Sequence, residues 1–257
     1  MPDTGSPTLS TEQVAQVLRL LRNVDGVELK LSVPDADRRS TVAALGMDPL
    51  EAQLRQVVFL DTPELTLDQH GVVVRARRIQ RKPGDSVVKL RPLVPEQLPP
   101  ALRKSRDLSV EVDAMPGGFV CSGSMKAQRD DAEIKDALAG RQPLRRLFTK
   151  QQRAFFSDHV PDDVQLDDLS VLGPINVFKL KFSPEGYGRR LVAEQWNYPD
   201  GSRILELSTK CEPTEAFEVA AETRAFLAGH GIDLTAEQQT KTRKALEFFA
   251  NELGGSD

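Results

Sequence analysis

Residues Val72–Arg78 read VVVRARR and lie between VVFLDTPEL at 57–65 and VVKLR at 87–91. On a strand, alternate side chains share a face, so Arg75 and Arg77 point one way while Val74 and Ala76 point the other. Lys89 and Arg91 repeat that spacing on the following strand. Like charges opposed on neighbouring strands are unfavourable, so two cationic pairs imply something anionic between them. Glu28 and Lys30 in VELKL keep the same period upstream, and Glu111 and Asp113 in SVEVD keep it downstream. For a single strand, a solvated outer face is the commoner explanation of such alternation. Here the alternating positions are mainly Arg, Lys, Glu and Asp rather than a mixture with Thr, Ser and Gln. Basic pairs suited to phosphate beside acidic pairs suited to metal make the inventory of a site.

The rest of the composition sets outer limits. A chain of 257 residues with 39% hydrophobic content can bury one large core, and a β-barrel of this length commonly forms one domain. The formal net charge of −4 argues against a nucleic-acid binder working through a basic surface, yet it is compatible with a basic tunnel inside an acidic shell. Cys121 and Cys211 are far apart and form no CxxC pattern, which reads as two reduced thiols. No signal peptide and no membrane-crossing apolar run is visible, so the expectation is a cytoplasmic protein with no membrane partner. There is no P-loop and no GxGxxG fingerprint, and His70, His159 and His230 are scattered beside turns.

Along the chain, residues 1–9 are expected to be mobile and 10–253 to form a single domain. A helix over 11–22 follows a Ser10/Gln13 capping box. Strands are expected at 26–33, 55–62, 71–79, 85–92 and 107–114, with RKPGD at 81–85 as a hairpin turn made by Pro83 and Gly84. A short helix begins at Asp35 and stops at Gly46, and 94–104 is a Pro-interrupted loop. The spacing predicts a helix over 124–139 and a strand over 148–156 that presents Arg153. Further strands fall at 164–174 and 177–182, then in a hairpin turned at Pro199, Asp200 and Gly201. Two helices close the chain at 214–228 and 236–252, the second with Thr235 and Gln238 as a capping box and with Lys241, Arg243 and Lys244 in solvent. Trp196 and Tyr198 read as core or cavity wall.

The segment FLDTPELTLDQHGVVVRARR resembles the YFDTPxLxLxxxGxxLRxR pattern of the CYTH superfamily, the triphosphate tunnel metalloenzymes. Phe59 stands for the usual Tyr, and Asp61, Thr62, Pro63, Leu65, Leu67, Gly71, Arg75 and Arg77 match as written. The resemblance extends through Lys89, Arg91 and Glu111 and covers roughly 24–250. It implies an α+β protein built on a closed antiparallel β-barrel of about eight strands with flanking helices. It also implies that Arg75, Arg77, Lys89, Arg91 and Arg153 hold phosphate and that Lys30 meets the substrate. Glu28, with Glu111, Asp113 and Glu206, would hold Mg²⁺ or Mn²⁺, and Glu28 and Lys30 would form the catalytic pair.

The sequence departs from the family pattern at two places. Where the family has ExExK, this chain has Gly26, Glu28 and Lys30, with Asp25 one residue out of register unless a bulge brings it in. The family's late ExE pair falls either on VFKLKF, where Lys179 and Lys181 replace both carboxylates, or on RILELSTK, where Glu206 remains and Ser208 replaces its partner. The second placement is preferred, because that strand leads into the C-terminal helices. The leading expectation is a metal-dependent hydrolase of a triphosphate-containing small molecule or polyphosphate. A polyphosphate- or nucleotide-binding module with weakened turnover is one alternative, and a class IV-like adenylyl cyclase is another. The sequence is silent on the substrate's identity and on the oligomeric state.

Overall fold

A computed structural model describes residues 10–235, 238 and 241–254. The strands are β1 (Gly26–Val33), β2 (Gln53–Asp61), β3 (Val72–Ile79), β4 (Lys82–Leu90), β5 (Leu108–Met115), β6 (Gly118–Arg129), β7 (Ser170–Phe182), β8 (Leu191–Asn197) and β9 (Arg203–Cys211). The helices are α1 (Thr11–Leu21), α2 (Arg38–Ala44), α3 (Thr66–Gln69), α4 (Pro100–Arg103), α5 (Asp131–Leu138), α6 (Lys150–Ser157), α7 (Ala216–Gly229) and α8 (Lys241–Gly254). The strands close in the order β1-β5-β6-β4-β3-β2-β7-β8-β9. Every pairing is antiparallel except β1 with β5, which run parallel. The barrel is therefore mixed and has nine strands among the described residues, close to the roughly eight antiparallel strands expected.

The strand that the sequence pattern does not anticipate is β6, whereas the strands expected at 164–174 and 177–182 merge into β7. The sequence expectation of helix over 124–139 fails in its first half, and only Asp131–Leu138 is helical, with Gly140 past its end at φ +70°. The run Phe119, Cys121, Gly123, Met125 has strand period and packs on the outer wall, where Cys121 and Met125 are buried. A second correction concerns 148–156, which forms α6 rather than a strand. Thr149 Oγ1 accepts from the Gln152 N–H at 3.1 Å, and Gln152 Oε1 accepts from the Thr149 N–H at 2.9 Å, a reciprocal cap that starts the helix.

The β3–β4 turn is also shifted. Ile79 pairs with Lys82, so Gln80 and Arg81 make the turn, with Arg81 at φ +57°, while Pro83 and Gly84 lie within β4. A Cβ at Gly84 would clash with the Arg77 carbonyl and Ile134, which is why glycine sits where the β3 register shifts. At the C-terminal side, α8 is described from Lys241, and the helix start expected at 236–240 falls largely outside the described residues. Thr235 turns its N–H and hydroxyl to Asp233, and Gln238 Oε1 accepts from the Ser32 N–H at 2.8 Å. Residues 1–9, expected to be mobile, fall outside the described residues.

The hydrophobic core surrounds the barrel rather than filling it. Outward-facing Val58, Leu60, Val74, Ala76, Val88, Val110 and Val112 pack with Leu67, Ile134, Phe155 and Phe156 from the covering helices. A second cluster joins Leu31, Val33, Leu205 and Leu207 on the outer wall to Leu227. One end of the interior is apolar. There Phe59, Ile175, Val177, Trp196 and Ile204 meet Ala245 and Leu246 of α8, so that helix closes the tunnel at that end. Among the described residues no helix is long and apolar enough to cross a membrane.

Candidate functional site in the barrel interior

The register that aims the cations is set just before β3. Asp61, 1% exposed, accepts from the backbone N–H groups of Thr62 (2.7 Å), Leu67 (2.8 Å) and Asp68 (3.1 Å). Thr62 Oγ1 accepts from the Thr66 N–H at 3.0 Å, and Leu65 takes a left-handed φ of +59°. These contacts fold DTPELTLD into a compact turn, and α3 tucks the fully buried Leu67 beneath it. Gly71 follows at φ +70°, its carbonyl accepting from the Arg91 N–H at 2.7 Å. A Cβ there would sit 2.6 Å from the Arg91 carbonyl oxygen. The turn and the glycine thus fix both β3 and the end of β4, and with them Arg75, Arg77, Lys89 and Arg91.

Alternate residues of each strand then converge inside. On one wall Asp113, 1% exposed, contacts Lys30 (2.7 Å), Lys89 (3.5 Å) and Arg91 (3.5 Å). Burial works against its ionisation, but Lys89, Lys30 and Arg91 outweigh it and bring its pKa down to about 2. Lys89 responds the opposite way: burial, reinforced by its cationic neighbours against Asp113, lowers it to about 8. Glu28 accepts from Ser208 Oγ at 3.0 Å and pairs with Lys30 at 3.3 Å. Burial pushes Glu28 upward, and Lys30, Lys210 and Ser208 together hold it below the usual carboxylate range. Glu111 pairs with Lys210 at 2.6 Å.

The opposite wall is richer in unneutralised charge. Register places Arg55, Val57 and Phe59 of β2 beside Ile79, Arg77 and Arg75 of β3. Arg77 pairs with Asp85 at 2.6 Å, and Lys126 reaches the same carboxylate at 3.2 Å. Arg75 makes no hydrogen bond or ion pair among the described residues, and its buried Nε has no partner. Arg55 gives one hydrogen bond from Nη2 to Gln53 at 2.9 Å, and its buried Nε is likewise unpartnered. Burial, with Arg77 adding repulsion, lowers the pKa of both guanidinium groups. One carboxylate oxygen of Asp85 is also buried without a partner. Further round, Lys179 pairs with Glu194 at 2.7 Å, and Lys241 reaches in from α8 to Glu194 (3.0 Å) and Glu206 (2.6 Å).

The interior thus gathers Lys30, Arg75, Arg77, Lys89 and Arg91 with Glu28, Glu111, Asp113 and Glu206. It does not gather Arg153, which is exposed on α6 outside the barrel and donates to the Arg145 and Phe148 carbonyls at 3.4 and 2.9 Å. The next-door Gln152 holds α6 to the outer wall through the Ser86 and Met125 carbonyls, so Arg153 cannot face the tunnel. No bulge brings Asp25 inward either. Its carboxylate accepts from the Val110 N–H and from Arg103, at 2.8 and 3.0 Å, at the start of the β1–β5 pairing. Both strands considered for the late acidic pair line the interior: Lys179 lies on β7, Glu206 and Ser208 on β9.

Arg55, Asp85, Glu194 and Lys241 were absent from the expected site, and Lys179 entered it only under the placement that was not preferred. Arg55 has the same period as Val57 and Phe59 and lay inside the strand expected at 55–62, so its face was readable there. Lys241 was expected in solvent, whereas its side chain is only 14% exposed. Glu28, Glu111, Asp113 and Glu206 are the residues that would hold the metal expected from the resemblance. Each of them contacts an ammonium or guanidinium group, and among the described residues no three Asp, Glu, His or Cys come together to hold an ion.

No protein-family model matches the sequence, and no curated protein matches it. Solved structures do resemble it. A putative adenylyl cyclase from Hippeastrum, described as having a dominant triphosphatase activity, superposes with a TM-score of 0.64 at 16% identity. That likeness covers 86% of this chain and 95% of the other. A putative adenylate cyclase from Bacillus halodurans gives a TM-score of 0.58 at 14% identity, over 86% of this chain and 97% of that one. With its closed barrel, charged interior and flanking helices, the chain has the triphosphate-tunnel fold that the CYTH resemblance implied.

Proposed function

We propose that the tunnel binds a linear triphosphate, either inorganic or carried by a small organic group, and hydrolyses a phosphoanhydride bond. The observation that carries the reading is Arg75, with Arg55 beside it: guanidinium groups inside the barrel whose buried Nε atoms have no partner among the described residues. A buried N–H of a cation left without an acceptor is expensive, and an anionic ligand of several oxygens removes the expense. Arginine suits that task because its donors match pairs of phosphate oxygens. Arg55, Arg75 and Arg77 would grip one end of the polyphosphate, and Lys89, Arg91 and Lys30 the other. Lys30 would sit at the reacting phosphoryl group. Glu28, held ionised, would orient the attacking water, while the surrounding cations stabilise charge on the transferring group. The reading uses no resident metal. A divalent ion that arrives on the triphosphate is part of the substrate.

The fold likeness supports hydrolysis over binding alone, since one structural neighbour is described with triphosphatase activity. A second reading, binding without turnover, is favoured by one specific observation: Ser208, not a carboxylate, stands opposite Lys30 in the β1–β9 register. The deciding experiment incubates purified protein with tripolyphosphate, ATP or thiamine triphosphate in the presence of Mg²⁺, Mn²⁺ or EDTA. Orthophosphate, pyrophosphate and cyclic AMP are measured. Orthophosphate release that is lost in Glu28→Ala and Arg75→Ala supports the hydrolase. Tripolyphosphate that raises the melting temperature without product release supports the binder, and cyclic AMP with pyrophosphate supports a cyclase. Arg75→Ala that binds tripolyphosphate as tightly as the native chain refutes the tunnel reading.

A further inference from the structure

Glu194 on β8 and Glu206 on β9 are directly paired in register, and both face the interior. Two carboxylates opposed on neighbouring strands repel unless a cation lies between them. That cation is the Lys241 ammonium, 3.0 Å from Glu194 Oε2 and 2.6 Å from Glu206 Oε1, the first described residue of α8. It also stands over the Trp196 ring at 5.0 Å, while Trp196 Nε1 donates to Glu194 at 3.4 Å. The lysine is held there by the helix. The Tyr198 hydroxyl donates to the Lys241 carbonyl at 3.0 Å, Lys244 covers the Tyr198 ring at 4.9 Å, and Ala245 and Leu246 are fully buried beneath.

We propose that Lys241 is a tethered cation occupying the position between Glu194 and Glu206 that a divalent ion would otherwise take, and that α8 thereby excludes metal from this wall of the tunnel. Bridging of two carboxylates by one ammonium matches what a hard divalent ion needs from protein oxygens, usually one or two carboxylates completed by water. Burial opposes the charge, but Glu194 and Glu206 together raise the Lys241 pKa above its ordinary value, so the ammonium persists at neutral pH. The inference stands on these contacts and not on the triphosphate reading, and its test contains no phosphate.

The test is Mn²⁺ titration, by electron paramagnetic resonance and by thermal shift, of the native chain, Lys241→Met and Lys241→Met/Glu206→Gln. Methionine keeps the length of the side chain and removes the charge. The native chain should show no saturable Mn²⁺ site and no thermal shift. Lys241→Met should bind Mn²⁺ at least roughly tenfold more tightly, and saturating Mn²⁺ should raise its melting temperature by roughly 5 °C. Recovery of folding only when Mn²⁺ is present would support the proposal equally. The double variant, with one carboxylate neutralised, should fold without metal and lose the gain. Mn²⁺ binding by the native chain at the variant's affinity overturns the proposal. So does a Lys241→Met chain that gains no Mn²⁺ response, whether or not it folds, or a gain that survives Glu206→Gln.

Discussion

Replacing Asp113 by Asn removes the carboxylate that three cations share, with almost no change in volume. Asp113 is 1% exposed and its pKa is brought from 3.8 to about 2 by Lys89, Lys30 and Arg91. A folded-state pKa below the unfolded value means stability that is present above the unfolded pKa and lost as pH falls through the folded one. The shift corresponds to about 2 kcal/mol at neutral pH. Leaving three neighbouring cations without their counter-charge moves the loss toward the 3–5 kcal/mol typical of a broken buried pair. At pH 7 Asp113→Asn should therefore melt roughly 4–8 °C or more below the native chain, a gap that narrows as the pH is taken below about 4. Tripolyphosphate should restore the missing negative charge, so its thermal shift should be larger in the variant than in the native chain. Differential scanning fluorimetry across pH 3–8, with and without tripolyphosphate, measures both effects. A variant that melts within about 1 °C of the native chain at pH 7, with an equal tripolyphosphate shift, would refute the reasoning.

Two other outcomes follow from the same interior and its approach. Lys89, brought by burial to about 8, gains a proton when a polyanion binds, so tripolyphosphate affinity should be highest below pH 8 and fall by up to tenfold per pH unit above it. Lys89→Arg should flatten that dependence, as read by isothermal titration calorimetry. Asp61→Ala leaves three backbone N–H groups of the DTPEL turn without an acceptor and should lower stability by about 3 kcal/mol in urea unfolding, with Asp61→Asn recovering part of it.

The readable part of the site lay on strands with strict alternation. VVVRARR and VVKLR placed Arg75, Arg77, Lys89 and Arg91 on one face without knowledge of their neighbours, and SVEVD did so for Glu111 and Asp113. The pattern misled where two periods overlap. SMKAQRDDAEIKDALAG contains a helix only from Asp131, and its first part is strand because Cys121, Gly123 and Met125 continue a period-two face onto the outer core. FTKQQRAFF carried the Thr149/Gln152 cap in plain view, yet two terminal phenylalanines also suit a strand. Arg153 was misplaced with that element, and no local property of an arginine reveals which side of a wall its element occupies.

Residue order alone determined most of the strands and the alternation of Arg, Lys, Asp and Glu on one face of four of them, because strand periodicity is local, while the closed barrel was what the family resemblance implied. Closure of the barrel decided the rest. It set β1 parallel to β5, brought Asp113 from one wall to Lys89 on a strand that is not its neighbour, and left the buried Nε atoms of Arg55 and Arg75 without a hydrogen-bond partner among the described residues. It also carried Lys241 from a helix with a solvated-looking sequence to two carboxylates far away along the chain. These pairings depend on distances across an enclosed space, and such distances are fixed only when every strand has found its neighbours.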